Sequence, residues 1–201
     1  MNSLLSLTVP LILASGSPRR RALLEQIGVS FSVQVSPAEE ETEEPLPPKT
    51  WARRLASKKA HPVSEAHPSA LVLAADTIVI HEDDVLEKPA SPREAHAMLH
   101  RLSDSSHTVY TGMALHLLES GQKIETGRAT EVTFASLSDA EIQAYVETES
   151  PLDKAGGYGI QDHTGPLFVD DLNGDYYNVV GLPLRHLYCT LQEHFSAVLE
   201  S

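Results

Sequence analysis

Cysteine is almost absent: Cys189 is the only one in 201 residues, so no disulfide can form within the chain. A reducing, cytoplasmic compartment is the expectation that follows. Long apolar runs are also missing. The longest near the N-terminus, Val9 to Ala14, is broken by Pro10 and is too short to span a bilayer. No basic stretch precedes it, and Arg19, Arg20 and Arg21 follow it, so neither a signal peptide nor a membrane partner is expected. Cations are scarce. Lys plus Arg number 15 against 28 Asp plus Glu, for a formal net charge of −13. That balance argues against nucleic acid as a partner, because such binding needs a basic face that displaces counterions. A small anion is still open to a chain that gathers its few cations locally. No internal repeat and no Gly/Ser linker divides the sequence. The expectation is one domain over residues 1–201, with two closely joined lobes and no firm boundary.

What is present suits a soluble globule, with 41% hydrophobic and 21% charged residues. A chain of this length buries roughly 70% of its unfolded surface, so it needs no structural metal. The pattern alternates strands with helices. Leu7 to Ala14 reads as a buried strand. Ser17 then caps a helix with Pro18 at its first position and Leu23, Leu24 and Ile27 on one face, and Gly28 stops it. Phe31, Val33 and Val35 alternate with polar residues as a second strand. Trp51 to Ala60 reads as a helix with a basic side. Leu71 to Ile80 is a strongly apolar strand interrupted by Asp76 and Thr77. Ser91 to Glu94 and Ser138 to Glu141 are capping boxes that open two more helices. Thr108 to Leu118 and Ile124 to Ala135 are strands joined at Ser120-Gly121. Residues 150–166 are glycine-rich and irregular. Leu184, Leu187, Tyr188, Leu191, Phe195 and Val198 mark a closing amphipathic helix. The sum is an α/β fold with a mixed twisted sheet and flanking helices.

Several stretches could carry chemistry. Ala14-Ser15-Gly16-Ser17-Pro18-Arg19-Arg20 sits where a strand hands over to a helix. Free backbone N–H groups and the helix dipole favour an anion there, and two guanidiniums add donors suited to phosphate. An ordinary capped helix with a solvated basic end is the plain alternative. Asp76 lies within apolar β-formers, and burying an unpaired carboxylate costs on the order of several kcal/mol. It must therefore face a cation, a metal, water or backbone donors. Lys88, before the turn-forming Pro89, could serve as a mobile point charge. Arg53, Arg54, Lys58 and Lys59 share a helix, either facing a ligand or simply solvated. Glu40 sits in the acidic run Glu39 to Glu44. Gln161 follows three glycines and could read a base edge, since its amide both donates and accepts. His96 and His100 have the spacing of two metal ligands on one helix, without a third ligand that sequence places beside them.

In this order these stretches resemble the Maf family of nucleoside triphosphate pyrophosphatases. The resemblance runs from Leu11 to about Leu191. It rests on Leu11-Ile12-Leu13-Ala14-Ser15-Gly16-Ser17-Pro18-Arg19-Arg20, Ala75-Asp76-Thr77-Ile78-Val79, Leu86-Glu87-Lys88-Pro89, Pro151-Leu152-Asp153-Lys154-Ala155-Gly156, Tyr158-Gly159-Ile160-Gln161 and Val180-Gly181-Leu182-Pro183. It implies a Maf/ITPase-like sheet with a cleft between two lobes, a homodimer, and hydrolysis of a nucleoside triphosphate to monophosphate and pyrophosphate with Mg²⁺ or Mn²⁺. By resemblance Asp76 is the proton acceptor. Asp76 and Glu40 are also the oxygen donors to hold or orient a hard cation, with base and metal ligand as alternative roles for Asp76 that the sequence leaves open. Arg19, Thr77 and Gln161 match the positions tied to base preference, and this set is similar to that of the subgroup acting on dTTP and UTP, with modified pyrimidine nucleotides as further candidates. Ser15, Arg20, Glu40, Lys59 and Lys88 match polar residues lining the family's cleft. Two residues depart from the pattern. Gly157 stands where alanine is expected. Asp162 follows Gln161 where glycine is usual, adding a charge near the proposed base pocket. The rival expectations are a non-catalytic nucleotide sensor acting in cell-division control and a sugar-phosphate enzyme.

Overall fold

The protein is described by a computed structural model over residues 5–38, 46–148 and 151–200. Two compact units share the chain. The first comprises Met1–Asp76, Thr111–Arg128 and Gly181–Ser201, and the second comprises Thr77–Tyr110 and Ala129–Val180. Strands β1 (Leu11–Leu13) and β2 (Ser32–Val33) and helices α1 (Pro18–Gln26), α2 (Pro48–Ala66) and α6 (Leu184–His194) belong to the first unit. Strand β4 (Asp84–Leu86), helices α3 (Pro92–Leu102) and α4 (Asp139–Thr148), strand β7 (Val169–Asn173) and helix α5 (Tyr176–Val180) belong to the second. The long strands β3 (Leu71–His81), β5 (Ser106–Leu117) and β6 (Gln122–Phe134) contribute to both. Among the described residues seven strands form one sheet in the order β2-β1-β3-β5-β6-β7, with β4 paired to β3. Its β1–β2 and β1–β3 pairs are parallel, and its β3–β4 and β6–β7 pairs are antiparallel. The fold is thus the mixed α/β class that the alternating pattern implies.

In the first unit the parallel pairs require crossovers, which α1 and α2 supply. Ser17 caps α1 by accepting from the Arg20 N–H, and Pro18 occupies the first turn. Ile12, Ala14, Val72 and Ala74 from the strands pack with Ala56, Ala60 and Val63 of α2 and Ala114 of β5. The small side chains let α2 lie close to the sheet. At Gly112 a Cβ would come within 2.5 Å of the Ala52 carbonyl carbon and 2.6 Å of the Arg53 nitrogen, so only glycine fits beneath the helix. His116 is buried beside the same helix, with Nε2 3.3 Å from Ser57 Oγ and Nδ1 3.5 Å from Ser64 Oγ. Burial pushes its pKa down to about 4.

The second unit has its own core. Leu99 and Leu102 of α3, Ile142 and Tyr145 of α4, Val132 and Phe134 of β6, and Phe168 pack together. Edge-to-face aromatic pairs organise it, with Phe134 4.7 Å from Tyr158 and 5.0 Å from His107 between ring centres. His107 Nε2 lies 2.7 Å from the Tyr158 hydroxyl. Desolvation, with His81 nearby, holds the His107 pKa at about 4, and burial pushes the Tyr158 phenol up. Both Ser caps form: Ser91 Oγ accepts from Glu94 N–H, and Ser138 Oγ accepts from Glu141 N–H; the box closes at Ser138, whose N–H donates to Glu141 Oε2, while Glu94 Oε2 accepts from Ala90 N–H.

Some elements differ from expectation. β1 is confined to Leu11–Leu13, because Pro10 has no N–H to pair, and Leu7 bridges to Leu199 instead. β2 covers only Ser32–Val33, and Val33 and Val35 are 45% and 63% exposed, so that alternation buries neither valine. α2 continues past Ala60 through Pro62 to Ala66, where buried Val63 and Ser64 hold the last turn. β4, β7 and α5 are additional to the elements expected. Among the described residues no helix is long and apolar enough to cross a membrane.

Candidate active site

The turn from β1 into α1 forms as its residues dictate. Ser15 is buried, and its Oγ accepts from Ser17 N–H at 3.2 Å and from Arg20 Nη1 at 3.2 Å. Arg20 also donates through Nε to the Gly181 carbonyl at 2.9 Å. Its guanidinium is therefore held on two sides at the helix N-terminus, an arrangement that favours an anion. Gly16 is exposed, and a Cβ there would meet only Val35 at 3.6 Å, an ordinary contact. The protein's own packing does not demand glycine at this point, so the open backbone is available to a ligand. Arg19 is half-buried on the same turn of α1.

Asp76 meets a cation, as its apolar setting requires. Lys59 Nζ of α2 donates to Asp76 Oδ1 of β3 at 2.6 Å, and each side chain is 14% exposed. The other basic residues of α2 act differently. Arg53 donates to Thr50 Oγ1 at 3.3 Å, Arg54 lies 3.7 Å from Glu125, and Lys58 is exposed. Of that face, Lys59 turns to the proposed base.

Register relates the two features within the first unit. Leu13 is level with Leu73 on parallel strands, and Ala14 N–H donates to the Leu73 carbonyl at 2.7 Å. Two residues further on, the chains reach Ser15 and Ala75, the residue before Asp76. The phosphate-suited turn thus leaves the carboxyl end of β1, and the carboxylate lies on the neighbouring strand three residues past Leu73, where the parallel pairing with β1 ends and β3 itself runs on to His81.

Thr77, Lys88 and Gln161 belong to the second unit. Thr77 is half-buried and directly follows Asp76 on β3, while Lys88 is exposed after β4 and Gln161 is exposed in a turn. Asp162, which stood out as an added charge, is already neutralised. Lys154 Nζ lies 3.2 Å from its Oδ2, and the Tyr145 hydroxyl donates to the same oxygen. Tyr145 also accepts from Gly159 N–H at 2.9 Å, and Asp162 N–H donates to the Gly159 carbonyl at 3.0 Å. Asp162 is therefore a staple of the loop that presents Gln161. Gly157 has φ +73°, the left-handed region that an alanine would occupy only with strain. Lys154, Tyr145 and the Gly181 carbonyl take these roles only through the tertiary fold. The charge pair Lys154 with Asp162 was the available signal, and its geometry needs the tertiary fold.

Glu40 lies outside the described residues, so Asp76 is the one proposed metal-holding carboxylate that the structure places. Its oxygen donors fit a hard cation such as Mg²⁺ or Mn²⁺, which takes few carboxylates and completes its shell with substrate phosphates. Lys59 bears on that fit. A cation at Asp76 Oδ1 requires the ammonium now 2.6 Å away to move, since both are positive.

The sequence profile described as Maf-like protein matches residues 10–194. A relative from Salinibacter ruber named dTTP/UTP pyrophosphatase is 56% identical over 201 residues, covering 100% of this chain and 98% of that protein. Relatives of the same name are 49% identical in Halalkalibacterium halodurans, covering 92% of this chain and 96% of the relative, and 43% identical in Desulforamulus reducens, covering 89% and 93%. A solved HAM1 protein from Coxiella burnetii aligns with TM-score 0.44 and 20% identity, covering 64% of this chain and 74% of that one.

Proposed function

The chain belongs to the Maf family, and from that membership we infer that it is a nucleoside triphosphate pyrophosphatase acting on dTTP and UTP. The observation that carries the reading is 56% identity over the whole chain to a protein of that name. Relatives named for a catalytic activity do not favour the sensor expectation.

The chemistry follows from the chain's own groups. The triphosphate meets the N-terminus of α1, where Arg20 is held by Ser15 and Gly181 before substrate arrives. Preset donors cost little reorganisation when the charge binds. Asp76 orients the attacking water and takes its proton. A bound Mg²⁺ or Mn²⁺, held by Asp76 with Glu40, would neutralise phosphate charge and acidify that water. Lys59 then exchanges its partner, leaving the carboxylate for a phosphate oxygen. Such an exchange keeps the carboxylate paired in the resting enzyme and frees it when substrate brings negative charge. Lys88 adds a further cation to the phosphates. Attack at the α-phosphorus releases pyrophosphate as a single leaving group.

Arg19, Thr77 and Gln161 set base preference, with Gln161 reading the pyrimidine edge from the loop stapled by Asp162. The protein works as a cytoplasmic homodimer, and equilibrium sedimentation showing only monomer at micromolar concentration would remove the dimer. A kcat/KM panel over dTTP, UTP, CTP, GTP and ATP tests the substrate assignment. The expected result is at least tenfold preference for dTTP and UTP, the scale of one good polar contact. Equal values across the panel would overturn it.

A further inference from the structure

We propose that His96, His100 and Asp139 form a surface site for a borderline divalent transition metal of the Zn²⁺ class, separate from the hard-cation chemistry of Asp76. His96 and His100 stand one turn apart on α3, the spacing that puts two imidazoles on one helix face. The third group comes from another element. Asp139 begins α4, and its Oδ1 lies 3.2 Å from His96 Nε2 and 3.1 Å from His100 Nε2. The three donor atoms all lie within 4.8 Å of one another.

Those separations are the reason to read the cluster as a site rather than as chance pairing. A tetrahedral ion with bonds of 2.0–2.1 Å holds its ligand atoms about 3.3 Å apart. Both imidazole–carboxylate edges already have nearly that length. The two Nε2 atoms converge on a single oxygen, so one ion placed among the three would meet all of them after small side-chain movements. Coordination takes each imidazole as the Nδ1–H tautomer, with the Nε2 lone pair on the metal. The ion replaces two hydrogen bonds to Asp139 with bonds to itself.

The donor set also decides which metal. Imidazole nitrogens suit Zn²⁺, Ni²⁺ and Co²⁺, whereas Mg²⁺ demands oxygen ligands. The His100 and Asp139 side chains are 50% and 76% exposed, so water supplies the fourth position. His96 also lines an open pocket of about 590 Å³ with Arg93, Gln143 and Glu147, which leaves room for that water. The bound ion would tie α3 to the first turn of α4. Helix α4 in turn carries Tyr145, which holds Asp162 and the loop of Gln161.

The test uses Zn²⁺ alone, by equilibrium dialysis of the full chain and of a His96→Gln/His100→Gln double variant. Wild type should bind one equivalent more than the double variant, and the same difference should persist in an Asp76→Asn background. Saturating Zn²⁺ should raise the wild-type melting temperature by about 5 °C and leave the double variant unmoved. Unchanged Mg²⁺-supported turnover and circular dichroism would show that the double variant is folded. Should it fail to fold, Asp139→Asn replaces it, with at least a tenfold loss of Zn²⁺ affinity expected. Equal Zn²⁺ binding in wild type and the folded variant, whichever is used, would overturn the assignment.

Discussion

Lys59 Nζ sits 2.6 Å from Asp76 Oδ1, joining α2 to the middle of β3 through side chains that are each only 14% exposed. The pair explains how an acid tolerates the apolar run Leu71 to Ile80. It also places the cation that a phosphate oxygen would take over beside the group that would activate water.

Replacing Asp76 by Asn tests the acid directly. The amide oxygen still accepts from Lys59, so the fold should hold, with a melting temperature within a few degrees of wild type. Turnover of dTTP should fall about 100-fold or more, the scale of general-base loss. Steady-state kinetics alongside thermal melting separates the two effects. Near-normal turnover would reject Asp76 as the base.

Lys59→Met removes the cation while keeping much of the side-chain volume. Asp76 is then left largely buried without its partner, which should cost about 1–3 kcal/mol of stability. Turnover should fall as well, and urea denaturation with kinetics measures both. A stable variant of normal activity would mean that the pair is incidental.

Asp162→Asn probes the loop rather than the chemistry. Lys154, 7% exposed, then loses the negative charge of Asp162, while its ammonium stays 3.0 Å from the exposed Asp153 carboxylate. The Gln161 turn should loosen, narrowing the preference for dTTP over other triphosphates while turnover of the best substrate changes little. Competition kinetics between dTTP and CTP reads this ratio, and an unchanged ratio would detach Asp162 from base reading.

Gly112→Ala should act at a distance. Its Cβ would sit 2.5 Å from the Ala52 backbone, so α2 must shift. Overpacking of this kind costs about 1–3 kcal/mol. Because α2 carries Lys59, activity should fall together with stability, and a denaturation curve paired with turnover checks both.

Two buried histidines make the fold acid-sensitive. His107 and His116 ordinarily titrate near 6.5, and burial holds each at about 4 in the folded chain. Above pH 6.5 both states are neutral and stability is unaffected. As pH falls below 6.5 the unfolded chain takes up protons first, so stability declines until about pH 4 and then levels. For His107, 3% exposed, the loss is on the order of 3 kcal/mol. His107→Gln should flatten the urea midpoint between pH 6.5 and 4, and an equally steep profile would count against the account.

What could be read in the sequence was what is local. Both helix starts form because a Ser accepts from the N–H of a Glu three residues on, within one turn; Glu141 returns the bond to the Ser138 N–H, whereas Glu94 accepts from Ala90 N–H. The apolar run of β3 announces a buried strand, and Asp76 within it announces a partner. The identity of that partner is not local: Lys58 and Lys59 are adjacent, and only packing of α2 on the sheet turns Lys59 towards β3. Strand β7, Val169-Asp170-Asp171-Leu172-Asn173, carries two acids and reads as loop. It becomes a strand because Leu172 and Val169 pair with Val132 and Phe134 of β6, a long way back in the chain. Asp139 likewise meets His96 and His100 only because α4 packs beside α3, some forty residues earlier in the chain.

The most direct measurement is product identity. dTTP and UTP would be incubated with the protein and Mg²⁺, and pyrophosphate and orthophosphate quantified separately, with Asp76→Asn as control. The account predicts stoichiometric pyrophosphate and monophosphate from both nucleotides, falling about 100-fold in the variant. Orthophosphate as the first product, or pyrophosphate released equally by the variant, would contradict it.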